Sequence, residues 1–350
     1  MATSTHIRTG LLRALMCSAL LLPASAPASR LEQTALGTQL VTTSRPARTA
    51  PDAQLIKITY TTHNGHTRNA YVQLPHGYGP NSLKRLPLVI SPHGRGVDGR
   101  INSRRWGNLP TLGDFAVVSP DGYGRRLSLH SWGYRGQIDD LARMADVVET
   151  ALRWVHVDRS RIYAVGGSMG AQETLLLAGR YPGLLAGAVA VDGPVDFALQ
   201  YRNFGRLPCD AACASRGWGQ VGPARQRLAR REIGGDPRTA AAKFVERSPL
   251  SYARQIAESC VPVQIWWSRT DETVLDSARQ SGRMFRALQR LNPHAAIDEF
   301  VGDWAHTDAM RAETDLPRML SHLGLLPPSF NVERLGATHV GTSPDGSCAG

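Results

Sequence analysis

Ile162-Tyr163-Ala164-Val165-Gly166-Gly167-Ser168-Met169-Gly170 is the stretch on which the fold turns. Its first four residues are an apolar run that predicts a strand, the next five have the spacing G-x-S-x-G, and a helical pattern begins at Met169. The spacing has a steric cause. A serine on a sharp strand-to-helix turn takes a strained backbone, so the residues two before and two after it must be small. Such a turn leaves the hydroxyl exposed at a helix N-terminus, where backbone N–H groups face developing negative charge. A buried turn of small residues could use the same letters without chemistry. The strand before and the helix after favour an exposed nucleophile.

Outward from this turn, strand and helix patterns alternate. Upstream, Leu55 to Thr62 and Arg68 to Leu74 read as strands around the turn signal His63-Asn64-Gly65-His66. The buried-strand patterns Leu86 to Ser91 and Phe115 to Ser119 follow, ending at Pro92-His93-Gly94 and Pro120-Asp121-Gly122. Ile138, Leu141, Ala145, Val148, Leu152 and Val155 step by three or four residues and predict one continuous helix. Downstream, Met169 to Tyr181 reads as helix, Leu185 to Val191 as strand, and residues 197–255 as a loop-rich, cap-like insertion with helical stretches. Val261 to Trp267 and Ala296 to Val301 read as strands, Asp276 to Leu291 and Met310 to Leu323 as helices. The alternation predicts an α/β fold: a mostly parallel, eight-stranded sheet covered by helices on both faces. In such sheets chemistry gathers at the carboxyl ends of the strands, where this chain places His93-Gly94-Arg95-Gly96, Asp121, Ser168, Asp192, Asp271 and His306.

A serine hydroxyl at neutral pH is a poor nucleophile. It needs an imidazole to take its proton and a carboxylate to orient that imidazole. In this kind of sheet the chain order is Ser, then Asp or Glu, then His. Asp271 follows the strand ending Ile265-Trp266-Trp267, and His306 follows the next strand, so order and placement both fit. Asp192 and Asp196, after the preceding strand, are rival acids; Glu272 would face away if Asp271 faces in, and His294 precedes its strand. Two N–H donors must stabilise the oxyanion: the backbone of Met169, and the loop containing Gly94 and Arg95. Tyr123, Trp132 and Tyr134 are candidates for lining a substrate pocket, and Trp266 and Trp267 for the core.

The 350-residue chain, with 42% hydrophobic and 20% charged residues, has an ordinary globular composition. Residues 1–28 stand apart. Arg8 and Arg13 precede the apolar stretch Ala14 to Leu22 and the small residues Ala24, Ala26 and Ala28, the pattern of an export signal. It is too short for a membrane span, and no stable membrane insertion is expected. Residues 29–52 read as a disordered leader, 53–326 as the catalytic domain, and 327–350 as a flexible tail. Four cysteines lie beyond the signal, Cys209, Cys213, Cys260 and Cys348; an even number in an exported chain suits two disulfides of unassigned pairing. The net charge of +11 falls to +9 without Arg8 and Arg13, and comes from scattered arginines rather than a nucleic-acid-binding motif. No nucleic-acid partner is expected.

From about Thr67 to Leu323 the chain resembles the α/β-hydrolase superfamily, and within it the prolyl oligopeptidase-type catalytic domain and related secreted esterases. The resemblance rests on Val157-Asp158-Arg159-Ser160-Arg161-Ile162-Tyr163 leading into the Ser168 turn, on Gly234-Gly235-Asp236-Pro237, and on Arg247-Ser248-Pro249-Leu250-Ser251-Tyr252-Ala253. It implies an acyl-enzyme serine hydrolase with Ser168, Asp271 and His306 as triad, no cofactor or metal, and a small ester or short peptide as substrate. Departures point toward esters. The propeller of true prolyl oligopeptidases has no counterpart before Thr67, His93 stands where they use a tyrosine phenol, and Ser268 replaces the usual glycine before the acid loop. No acidic pair suited to holding a free amino terminus is evident. The alternatives are a prolyl oligopeptidase-like serine peptidase and a non-catalytic binding protein of the same fold.

Overall fold

A computed structural model describes residues 38–39, 52–207, 221–341 and 348. The apolar runs pair as the alternation predicts. Strands β1 (Thr38–Gln39), β2 (Gln54–Thr61), β3 (Thr67–Leu74), β4 (Arg85–Ile90), β5 (Ala116–Pro120), β6 (His156–Gly167), β7 (Gly187–Val191), β8 (Val263–Ser268), β9 (Ile297–Gly302) and β10 (Thr338–Gly341) form one sheet. Their spatial order is β1-β2-β3-β5-β4-β6-β7-β8-β9-β10. From β5 to β9 every pairing is parallel, whereas β1, β2, β3 and β10 join antiparallel. The eight strands from β2 to β9 are the predicted sheet; two short strands extend its edges.

The period of two along each strand divides the apolar residues between two cores. Leu88, Ile90, Ala164, Ala188 and Ile265 join the helical face of Ile138, Leu141, Met144 and Val148 on one side. Val89, Val165, Val189, Trp266 and Phe300 pack with Trp106, Met319 and Leu320 on the other. Burial on both faces explains why the central strands read as continuous apolar runs. A continuous run cannot alternate with water on either side.

Several boundaries differ from expectation for local reasons. The apolar stripe from Ile138 to Val155 spans two helices, Arg135–Ala142 and Met144–Ala151, broken where Arg143 leaves helical geometry and bonds back to Asp140. The helix expected from Met310 is Leu316–His322, with Pro317 in its first turn. Asp276 takes a left-handed conformation, so that helix is delayed to Ser281–Leu291. Beyond Pro327 the expected flexible tail is instead partly tied down. Its residues Thr338–Gly341 pair with β9, His339 stacks on Phe300 with ring centroids 4.4 Å apart, and Cys348 forms a disulfide with Cys260. Within the expected leader, Thr38–Gln39 pairs with β2. Cys209, Cys213 and the expected export signal lie outside the described residues.

The insertion at 197–255 is more helical than its composition suggests, with helices at Phe197–Phe204, Val221–Ile233, Ala241–Glu246 and Ala253–Glu258. Buried charge anchors it to the sheet. Glu232 accepts backbone N–H bonds from Arg125, Arg126 and Leu127 at 2.6, 2.8 and 3.0 Å and pairs with Arg247 at 3.2 Å. Arg247 in turn donates to the Ser131 carbonyl at 2.6 Å, and the Ser131 hydroxyl donates to Glu173 on the helix that follows Ser168. Burial pushes the Glu173 carboxyl up to about 8, against the opposing pull of the Ser131 bond and the Arg247 charge. The folded state therefore holds a proton that the unfolded chain releases near 4.5. The stability this gives is full below that value and is lost as pH rises through about 8. Glu173→Gln removes that titration, so its unfolding free energy changes less between pH 5 and 8 than the wild type's. Parallel stability curves from urea titrations across that window would contradict this account.

Candidate active site

Ser168 sits between β6 and the helix Met169–Arg180 at φ 60° and ψ −123°, the strained turn the spacing requires. Its N–H donates to the Val191 carbonyl at 2.8 Å, which ties the turn to β7. Both flanking glycines are forced by contact. A Cβ on Gly166 would lie 2.4 Å from the Gly170 carbonyl carbon and oxygen, and one on Gly170 would lie 2.2 Å from the Pro92 carbonyl oxygen. Pro92 opens the loop after β4, so the same close approach that sets the turn draws that loop against it.

Asp271, in the loop after β8, is almost fully buried. One oxygen accepts from the N–H groups of Thr273 and Val274 at 2.7 and 2.9 Å, and the other meets His306 Nδ1 at 2.8 Å. A carboxylate there fixes the imidazole with its proton on Nδ1 and leaves Nε2 as the basic nitrogen. Ser168 and His306 line one cavity of about 220 Å³. Among the described residues their side chains share no direct hydrogen bond, which in unliganded sites often forms only with substrate.

The rival groups have other tasks. Asp196 caps the helix Phe197–Phe204 by accepting from Leu199 N–H at 2.9 Å, while Glu272 and His294 are exposed. Asp192 is fully buried behind the Asp271–His306 pair. It accepts N–H bonds from Ser268 at 2.9 Å, Thr307 at 2.8 Å and the Trp304 indole at 3.0 Å. It thus joins the ends of β7, β8 and the histidine loop. Burial, then the neighbouring Asp271 charge, push its carboxyl up to about 6. Asp192, Asp271 and His306 offer atoms within 4.8 Å of one another, but the carboxylate oxygens are already committed to these N–H donors and to the imidazole.

The β4 loop reaches the serine. A Cβ on Gly94 would be 3.8 Å from both the Gly167 carbonyl oxygen and Ser168 Cβ. Among the described residues neither Gly94 N–H nor Arg95 N–H donates to an internal acceptor, and Met169 N–H is one of the unpaired groups of a helix start. His93 is fully occupied. Its Nδ1 donates to the Gly94 carbonyl at 2.7 Å and its Nε2 accepts from Gly122 N–H at 2.6 Å, with burial pushing its pKa down. A neutral His93 therefore braces the loop and does not replace a tyrosine phenol as donor.

The expected pocket aromatics lie elsewhere. Trp132 is buried against Phe197 and Phe204, at centroid distances of 6.0 and 6.1 Å. Tyr134 meets His63 and Arg247, while Tyr123 is 39% exposed beneath the Arg68 guanidinium. The insertion encloses Trp132 and meets Tyr134 through Arg247, while Tyr123 lies against Arg68 of β3, so none of the three lines the cavity. In their place the cavity has three arginines, Arg95, Arg105 and Arg225, with Thr273. Of these, only Arg95 belongs to a stretch whose spacing pointed to the site. A larger hollow of about 480 Å³, between β2 and the helix Met144–Ala151, contains none of the Ser168, Asp271 and His306 group.

Removing Asp192 orphans three buried N–H groups, two of them in the loop that aims His306. Asp192→Ala is expected to lower unfolding stability by about 3 kcal/mol or more. A loss below about 1 kcal/mol in urea titration would contradict the bracing role.

No family model matches the chain, and the comparison with curated proteins finds no match. Solved structures do match. The S-formylglutathione hydrolase FrmB of Staphylococcus aureus superposes with a TM-score of 0.53 at 16% identity, over 77% of this chain and 98% of that one. The dipeptidyl peptidase 4 of Porphyromonas gingivalis superposes with a TM-score of 0.56 at 18% identity, over 78% of this chain and 36% of that one. A puromycin hydrolase gives 0.55 at 18% identity, over 82% and 40%. Sheet order, the strained serine turn and these likenesses agree: the chain has the α/β-hydrolase fold, with prolyl oligopeptidase-type enzymes among its structural neighbours.

Proposed function

We propose that the protein is a serine hydrolase working by acyl transfer, and that its substrates are carboxylic esters. The observation that carries this is the convergence of the Ser168 turn and the Asp271–His306 pair on one cavity. Ser168 Oγ attacks the carbonyl carbon while His306 Nε2 takes its proton. Asp271 keeps the proton on Nδ1 and stabilises the imidazolium that forms. The tetrahedral oxyanion lies against Met169 N–H and the N–H groups of Gly94 and Arg95, each such donor contributing about 10²–10³ in rate in comparable sites. His306 returns the proton to the leaving oxygen, and water, activated by the same imidazole, releases the acyl group.

Esters are preferred to peptides because the cavity is small, about 220 Å³, and among the described residues no carboxylate pair lines it that could grip an amino terminus. The neighbouring structures include an S-formylglutathione hydrolase and a dipeptidyl peptidase, so this preference rests on the cavity and on the sequence departures at His93 and Ser268. Export belongs to the same proposal. It is supported by the signal-like pattern of residues 1–28 and by the Cys260–Cys348 disulfide, a bond that persists in oxidising compartments.

The purified protein is expected to hydrolyse 4-nitrophenyl butyrate faster than a matched aminoacyl anilide. Ser168→Ala and His306→Ala each lower kcat by about 10⁴-fold or more, and the double variant loses little beyond either single one because the groups act as a unit. Asp271→Asn lowers kcat by about 10⁴-fold through the wrong tautomer. Multiplying losses in the double variant, or turnover of anilides alone, would contradict the mechanism or the ester preference respectively.

A further inference from the structure

Three guanidinium groups share the cavity with Ser168: Arg95 on the β4 loop, Arg105 just beyond it in the chain, and Arg225 on the insertion helix Val221–Ile233. Arg105 is held in place by bonds to the Thr307 carbonyl, the Met310 carbonyl and the Thr307 hydroxyl at 3.3, 3.4 and 3.2 Å. Its charge is thereby fixed beside the histidine loop. All three are at most half-exposed, and among the described residues none is paired with a carboxylate. Asp271, whose charge reaches Arg225, is committed to His306.

Withdrawing a cation from water without a counter-charge is costly, and clustering several compounds the cost. The effect is visible in Arg225, whose pKa falls to about 10, first through burial and then through the charge of Arg95, with Asp271 opposing. At neutral pH all three remain charged. A planar guanidinium offers paired donors that match a carboxylate or phosphate edge to edge.

We propose that this cavity selects esters that carry an anionic group, a carboxylate or phosphate, on the acyl or the leaving side of the scissile bond, with Arg225 and Arg105 as its receptors. The proposal rests on the hydrolase function argued above. The anion would supply the counter-charge that the described residues do not provide, and Arg225 would make the insertion helix part of substrate selection.

Two matched pairs of esters test it. The first compares mono-4-nitrophenyl adipate with its methyl-capped form and places the anion on the acyl side. The second compares 4-acetoxybenzoate with its methyl ester and places it on the leaving side. In at least one pair the charged ester is expected to have the higher kcat/KM by about tenfold or more. That ratio shrinks at 1 M salt, collapses in Arg225→Gln and is largely retained in Arg225→Lys. Ratios below tenfold in both pairs overturn the proposal, as does a ratio that Arg225→Gln leaves unchanged. If the capped esters are still turned over and Ser168 is still labelled by a fluorophosphonate, the hydrolase function survives that result. Without turnover of any ester and without labelling, the hydrolase function fails and the anion preference falls with it.

Discussion

The close packing of Gly170 on the Pro92 carbonyl is the contact from which the site follows. It leaves no room for a side chain, so β4, β6 and the helix start are drawn together at one point. Ser168 can meet that geometry only with φ near 60°, a conformation costing about 1–3 kcal/mol for a residue with a Cβ. The strain is offset by the Ser168 N–H bond to Val191 and by the two apolar cores that clamp β6 on either face. Move those strands apart and both the exposed hydroxyl and the nearby Gly94 backbone are lost together.

Around that point the chain uses buried carboxylates as braces. Asp192 collects N–H groups from β8 and from the histidine loop, so the loops that carry Asp271 and His306 are held together by a third residue. Glu232 does the same for residues 125–127, and Arg247 and Ser131 carry the link to Glu173 on the helix that follows Ser168. Asp192 and Glu232 are costly to bury, and each offsets that cost by accepting from three N–H groups at once. The insertion is therefore continuous with the active-site wall, and Arg225 on one of its helices reaches the cavity.

Much of this was legible in the chain itself. The sheet can be read because its central strands are buried on both faces and its turns are punctuated by Pro-His-Gly at 92–94 and Asp-Gly at 121–122. Local spacing and chain order at strand ends single out Ser168, Asp271 and His306, and the fold brings Ser168 and His306 to one cavity with Asp271 bonded to His306. What failed to read has a common cause, since it depends on contacts between distant segments. Nothing local distinguishes Arg225 from the other arginines of 225–231, and only the folded insertion brings it to the serine. Trp132 looked like a pocket residue until Phe197 and Phe204, more than sixty residues on, enclosed it. The short β10 was hidden because all four of its residues are exposed and carry no alternating pattern.

The most direct test of the site is the fate of a phosphonylating reagent. After reaction with an alkyl fluorophosphonate, intact-mass measurement and peptide mapping of the wild-type protein are expected to give one covalent adduct, on Ser168. Asp271→Asn should form it far more slowly, because the imidazole is then mis-set. An adduct on another residue, or no adduct on a folded protein, would contradict the claim that the strained turn holds the nucleophile.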